Sequence, residues 1–289
     1  MPTKVEKDEI SGTETTGHEW DGIKELNTPL PRWWAWTFYA TIVWAIGYWI
    51  VYPAWPGLRD YTRGVLGYSQ YQTLAQQMQA AQAARAEYLT RIEADSVEEI
   101  LADKALLDFS LAGGRTAFAD NCVPCHGAGG AGAKGYPNLA DDDWLWGGTP
   151  EAIHTTILYG VRSGHEKAHV TDMPAFGALE ILTPDQISDV AEYVMSLSGR
   201  SEDAAAAERG KTVFAENCAA CHGENAEGNT ELGAPRLADG IWLYGGDKAD
   251  IVATVTNSRG GVMPAWAPRL SDTTIKMLTV YVHSLGGGQ

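Results

Sequence analysis

The sequence predicts an all-α chain: one N-terminal membrane-crossing helix, a helical spacer, and two tandem copies of a small loop-rich domain. Three observations carry that reading. They are a twenty-residue run without a charge, a long stretch without Gly or Pro, and a series of segments that the C-terminal part spells twice in the same order. The 289 residues suffice for about two domains with buried cores. Twenty-one Lys plus Arg stand against 37 Asp plus Glu, a net charge of −16, which argues against nucleic acid as a partner and for either plain solubility or a basic protein partner, between which acidity alone does not choose.

Residues 1–32 form a largely polar N-terminal segment, and 33–55 are the predicted span. From Trp33 to Tyr52 the chain reads WWAWTFYATIVWAIGYWIVY, long enough at about 1.5 Å per residue to cross a hydrocarbon core of about 30 Å. Trp33, Trp34 and Trp36 at one end and Tyr48, Trp49, Tyr52 and Trp55 at the other mark the two interfaces, and Pro53 and Pro56 close the helix. Lys24 and Arg32 on one side balance Arg59 and Arg63 on the other, so charge leaves the orientation open.

Residues 56–109 are expected to be a helical linker, with QYQTLAQQMQAAQAARAEYLTRIEAD at 70–95 rich in strong helix formers and Met78 as an ordinary helix-face contact. Then come the repeats, 110–199 and 200–289. GRTAFADNCVPCHG at 114–127 matches GKTVFAENCAACHG at 210–223, and PNLADDDWLWGG at 137–148 matches PRLADGIWLYGG at 235–246. MPAF at 173–176 matches MPAW at 263–266, and LTPDQISDVAEYVMSLSG at 182–199 matches LSDTTIKMLTVYVHSLGG at 270–287. In the closing helices, Ile187, Val190, Ala191, Val194 and Leu197 make one apolar face, echoed by Ile275, Leu278, Val282 and Leu285; Thr183, Pro184 and Gln186 make a capping box. The Gly- and Pro-rich loops between helices need something to fold around.

All four cysteines, Cys122, Cys125, Cys218 and Cys221, lie in Cys-x-x-Cys pairs followed by His126 and His222. Cys-x-x-Cys-His is the attachment signature of a c-type haem: two thiols reach the two vinyl groups and the adjacent imidazole ligates the iron. A zinc site built from both pairs is opposed by the 92 residues between Cys125 and Cys218, and a thioredoxin-like pair lacks its βαβ context. The two copies are therefore expected to be class I cytochrome c domains holding two covalent haem c groups. Met173 and Met263, each in a loop before Pro-Ala-aromatic, are the expected sixth ligands, while Met195 and Met277 sit in the closing helices without an echo. The axial pairs expected from sequence order are His126 with Met173 and His222 with Met263. Filled axial positions imply electron transfer and no substrate-converting, catalytic residue.

Other residues have weaker readings. His154 and His283 are expected to be packing or surface residues, and His18 precedes the span. His165 and His169 fall in a loop insertion between Gly148 and Met173 that shapes a surface more readily than a metal site. Trp144 and Trp242 can offer an indole N–H to a propionate, and Arg162 and Arg259 can pair with one; ordinary core and surface roles stand equally for these four. Residues 114–289 hold 12 basic and 22 acidic side chains, a balance suited to steering a basic cytochrome.

These residues resemble one family, the membrane-anchored dihaem subunit III of bacterial cbb3-type cytochrome c oxidase. The most specific part is TTGHEWDGIKELNTPLPRWWAWTFYATIVWAIGY at 15–48, followed in order by the two haem motifs and the Met-Pro loops. The resemblance implies a single-pass protein of the bacterial inner membrane with a cytoplasmic N-terminus and periplasmic haem domains. It implies electrons arriving from a soluble or membrane-bound c-type cytochrome, in connection with the bc1 complex. They would leave toward the monohaem subunit and the haem–copper catalytic subunit of a proton-pumping terminal oxidase. Two other classes stay open: a dihaem subunit of another periplasmic redox enzyme, and a dihaem peroxidase, which would keep one iron open or His-ligated.

Overall fold

The computed structural model describes residues 4–287 and divides into two compact units, Met1–Ala84 and Arg85–Gln289. In the first, β1 (Thr15–Trp20) and β2 (Ile23–Leu26) form an antiparallel ribbon that the all-α reading did not contain. Asp21 and Gly22 connect them, both at positive φ (50° and 83°), as a two-residue hairpin turn requires. Helix α1 (Arg32–Val51) has apolar residues all round and buries none of them within the chain. It is long and apolar enough to cross a membrane. Its last carbonyls are capped by the chain folding back, Val65 N–H to Ile50 O at 2.9 Å and Leu66 N–H to Val51 O at 3.1 Å. Tyr48 stacks on Tyr52 and Trp49 packs edge-on against Trp55, an aromatic belt at that end.

Helix α2 (Gln70–Ala94) contains the division between the units. Two capped helices follow. Ser96 and Glu99 make a capping box at α3 (Val97–Ala102), and Asp103 accepts from Ala105 and Leu106 N–H to start α4 (Lys104–Asn121). Helix α4 thus runs through the expected 109/110 boundary. The remaining elements are α5 (Val123–His126), α6 (Pro150–Tyr159), α7 (Pro184–Leu197), α8 (Ala204–Asn217), α9 (Ala219–His222), α10 (Lys248–Asn257) and α11 (Asp272–His283). The Thr183–Gln186 capping box and Pro184 open α7 as the sequence predicts.

The helices pair across the repeats. Helix α4 lies along α11 and α6 also packs on α11, while α7 lies along α8 and α10 packs on α7. One lobe, called lobe A, therefore takes its opening helices from the first repeat and its closing helix from the second. Lobe B takes its closing helix from the first repeat and its opening helices from the second. The packed bodies do not follow the expected division at 199/200: the chain leaves lobe A after α6, builds all of lobe B, and returns after α10.

Each lobe has its own core. Lobe A buries Phe118, Ile153 and Ile157 against Ile275, Leu278 and Val282, and lobe B buries Val190, Ala191 and Val194 against Val213, Phe214 and Ile251. A third cluster packs Ile92, Val97, Ile100 and Leu106 on Met277 and Val280, so α11 is covered on a second side. Lys276 Nζ adds hydrogen bonds to the carbonyls of Ile92, Glu93 and Asp95. In lobe B, Glu192 is only 3% exposed. Lys248 at 2.9 Å, Ser201 Oγ at 2.7 Å and the N–H groups of Glu202 and Asp203 hold its carboxyl down at about 2, which ties α7 and the 198–203 joint to the start of α10.

Candidate functional site

Each Cys-x-x-Cys-His begins where a long helix ends. The first turn after α4 carries Cys122, Cys125 and His126, and the first turn after α8 carries Cys218, Cys221 and His222. One short helical turn brings both cysteines and the histidine to the same side of the lobe, the arrangement that two thioether bonds and an iron ligand need. Cys122 and Cys218 are turned inward, and burial first, then the neighbouring thiol, pushes each up to about 11. Cys125 and Cys221 are exposed.

The imidazoles are oriented in the same way in both lobes. His126 Nδ1 lies 3.1 Å from Pro137 O, and His222 Nδ1 lies 2.9 Å from Pro235 O. A carbonyl only accepts, so Nδ1 carries the proton and Nε2 presents its lone pair. Burial lowers both histidines below their ordinary value, which keeps the rings neutral, the form that ligates iron.

The methionines do not follow sequence order. A cavity in lobe A is lined by Cys122, Cys125 and His126 together with Met263 and Pro264, closed by Phe118, Leu139, Trp144, Ile157 and Trp266. Met173 is not among its lining residues. Instead Met173 packs on the lobe B core, the cluster that contains Cys218 and Phe214 and on which Trp242 also packs. Backbone bonds fix both placements. Val161 and Met263 exchange hydrogen bonds at 3.0 and 2.9 Å, and Trp266 N–H reaches Ile157 O at 3.2 Å; Gly177 and Ala178 N–H bind Thr256 O at 3.2 and 2.9 Å. The structure thus brings His126 together with Met263, where sequence order pairs it with Met173.

The apolar cavity with two thiols, an oriented imidazole and a thioether fits a c-type haem. Lobe B fits on a further observation: the Trp242 indole N–H is buried and, among the described residues, without a partner, a donor that a haem propionate would satisfy. Trp144, its counterpart, lines the lobe A cavity and donates to Gly287 O. Arg162 also lines that cavity, yet it ties its own loop to the Met263 loop, through Gly261 O at 2.8 Å, Thr171 O at 2.9 Å and Asp172 at 3.3 Å. Arg259 binds Tyr244 O and Asp250 O. His165 stacks on Tyr159, whereas His169 stacks on Trp146 and meets Thr156 Oγ1 at 3.1 Å, so the two serve separate contacts.

Comparison with known proteins finds a matching N-terminal segment and two cytochrome c domains that follow the two repeats along the sequence. The N-terminal domain of cytochrome oxidase-cbb3, FixP, matches residues 12–59; cytochrome c matches 111–198; and cytochrome C oxidase, cbb3-type, subunit III matches 205–282. The cbb3-type cytochrome c oxidase subunit FixP of Azorhizobium caulinodans is 60% identical over 98% of this chain and 96% of its own. The subunit CcoP of Azospirillum brasilense is 58% identical over 98% and 99%, and the FixP of a Bradyrhizobium species is 57% identical over the whole of both chains. The chain belongs to the cbb3-type cytochrome c oxidase subunit III family. As a member, it carries two covalent haem c groups on its two cytochrome c domains and transfers electrons. Haem c supplies reversible one-electron exchange between the ferric and ferrous states. Cysteine, histidine and methionine side chains of both lobes would hold it.

A residue the sequence reading passed over stands in the cavity wall of this subunit III: Asp143, which meets Asp239 of lobe B. Burial pushes its carboxyl up to about 6, with Asp239 and Asp141 adding to the effect and Arg236 opposing it. A carboxyl raised by folding stabilises the protonated state, so its contribution is full below about pH 4 and is lost as pH rises through about 6. Asp143→Asn is expected to flatten the pH dependence of the melting temperature between pH 4 and 7 and to raise it at neutral pH. An unchanged profile contradicts the burial of a charge there.

Proposed function

We propose that the chain is the electron-input relay of a cbb3-type oxidase. A c-type cytochrome, in connection with the bc1 complex, delivers electrons to the two haem lobes. They pass to the monohaem subunit and then to the haem–copper centre. The haem lobes lie on the periplasmic side of the inner membrane and the N-terminus on the cytoplasmic side, because c-type haem is attached outside the cytoplasm. Cys122, Cys125, His126 and Met263 serve one haem, and Cys218, Cys221, His222 and Met173 the other.

The observation that carries this reading is that each Cys-x-x-Cys-His lobe receives a half-buried methionine, which together with the histidine would hold a haem iron and suit it to electron transfer. The contact between lobes supports relay as well. Leu243 and Tyr244 of lobe B line the lobe A cavity, Gly135 N–H binds Leu243 O at 2.7 Å, and Lys134 pairs with Asp250 at 2.7 Å. The test is purification of the tagged full chain from its own membranes. Haem–copper and monohaem subunits are expected to accompany it, with oxygen uptake on addition of reduced cytochrome c. Isolation of the intact chain without them, or a native high-spin haem, contradicts the assignment.

A further inference from the structure

Among the described residues, four buried polar side-chain atoms lack a partner, and two of them belong to neighbouring groups in lobe B. Arg200, just past α7, donates from Nε to Ser198 Oγ at 2.9 Å and from Nη1 to Gly246 O at 2.9 Å. Its guanidinium carbon lies 5.3 Å from the centre of the Trp242 ring. Arg200 Nη2 and Trp242 Nε1 are the two orphans, and both groups can only donate. Trp242 packs on the core that holds Cys218 and Met173. Two buried donors with no acceptor, one of them on a guanidinium, describe a site for one carboxylate.

We propose that Arg200 Nη2 and Trp242 Nε1 hold a propionate of the haem anchored at Cys218 and Cys221, and that this site raises the potential of that haem above its neighbour's. The inference rests on the placement of a haem in lobe B given above. Among the described residues, lobe A shows no such pair of orphaned donors. Aligning 182–200 with 270–288 puts Gly288 where copy one has Arg200, and the lobe A indole of Trp144 already donates to Gly287 O. The cavity wall differs in the same sense: aligning 139–144 with 237–242 puts Ile241 opposite Asp143, so lobe A carries an added acid where lobe B carries none. A propionate bound to a guanidinium no longer presents an uncompensated negative charge to the iron, which favours the ferrous state. With both haems bound, the lobe A haem would be the donor, ferrous to ferric, and the lobe B haem the acceptor, ferric to ferrous.

The test is an optical redox titration of the purified full-length dihaem chain. The lobe B step is identified as the one displaced when His222 is replaced. Arg200→Gln is expected to shift that step at least tenfold toward the oxidised form, about 59 mV lower for a one-electron couple. The other step should hold within twofold and the methionine–iron band should be retained. Arg200→Lys should recover part of the shift, and Trp242→Phe should give about threefold. An unmoved lobe B step in Arg200→Gln, or movement of the lobe A step instead, overturns the carboxylate site. Loss of the methionine–iron band in Arg200→Gln overturns the haem placement and the site with it, and is read separately from the potential. Should Arg200→Gln fail to assemble, Trp242→Phe decides by the same shift, and no shift in it overturns the proposal.

Discussion

The double variant His126→Ala, Met263→Ala is expected to keep half of the methionine–iron charge-transfer band, and His126→Ala, Met173→Ala is expected to lose all of it. If His126 and Met263 serve one iron, removing both damages a single haem and leaves the His222–Met173 pair intact. Removing His126 and Met173 damages both. Pairing in sequence order predicts the reverse pattern, so the two arrangements cannot be confused. The crossed arrangement follows from the cavity that joins Cys122, Cys125 and His126 to Met263, and from the packing of Met173 on the core that contains Cys218. Each single methionine variant should halve the band and lower the potential of one haem, because the thioether ligand holds that potential up. Full retention of the band in Met263→Ala would remove the thioether from the account altogether.

The crossing was hard to read because the exchanged segments are alike. Helices α7 and α11 bear the same apolar spacing, so either can close either lobe, and the Met-Pro loops lie 47 and 41 residues after the preceding haem histidines, a difference that decides nothing. One signal was present. Only Ser198–Asp203 separates α7 from α8, and a joint of six residues makes two helices antiparallel neighbours. What the sequence did disclose is local: the haem motifs, the capping box at Thr183, the charge-free span and the apolar faces of the closing helices. The N-terminal ribbon was missed although Asp21-Gly22 is a strong hairpin signal, because its strands, TTGHEW and IKEL, are too polar to show a buried face. Asp143 and Arg200 were passed over for another reason. They stand where the two copies differ, at Asp143 against Ile241 and Arg200 against Gly288, so the repeat pattern does not mark them.

Gly114→Ala and Gly210→Ala are each expected to destabilise one lobe by about 3 kcal/mol or more. A methyl group at 114 would overlap Met277 O and stand 2.7 Å from Tyr281 Cβ; at 210 it would overlap Asp189 O. These are contacts with a facing helix, mostly backbone, so no rotamer change relieves them and the helix pair must part. Gly114 of the first repeat meets α11 of the second, and Gly210 of the second meets α7 of the first. Denaturant titration followed at each haem should therefore show Gly114→Ala loosening the His126 haem and Gly210→Ala the His222 haem. A chain cut after Gly199 makes the same point more severely. It would keep α4 without α11 and α7 without α8, two halves of different cores, and neither is expected to hold a low-spin haem. A stable, low-spin haem in residues 1–199 would mean that the first repeat folds on itself, which the pairing of α4 with α11 does not allow.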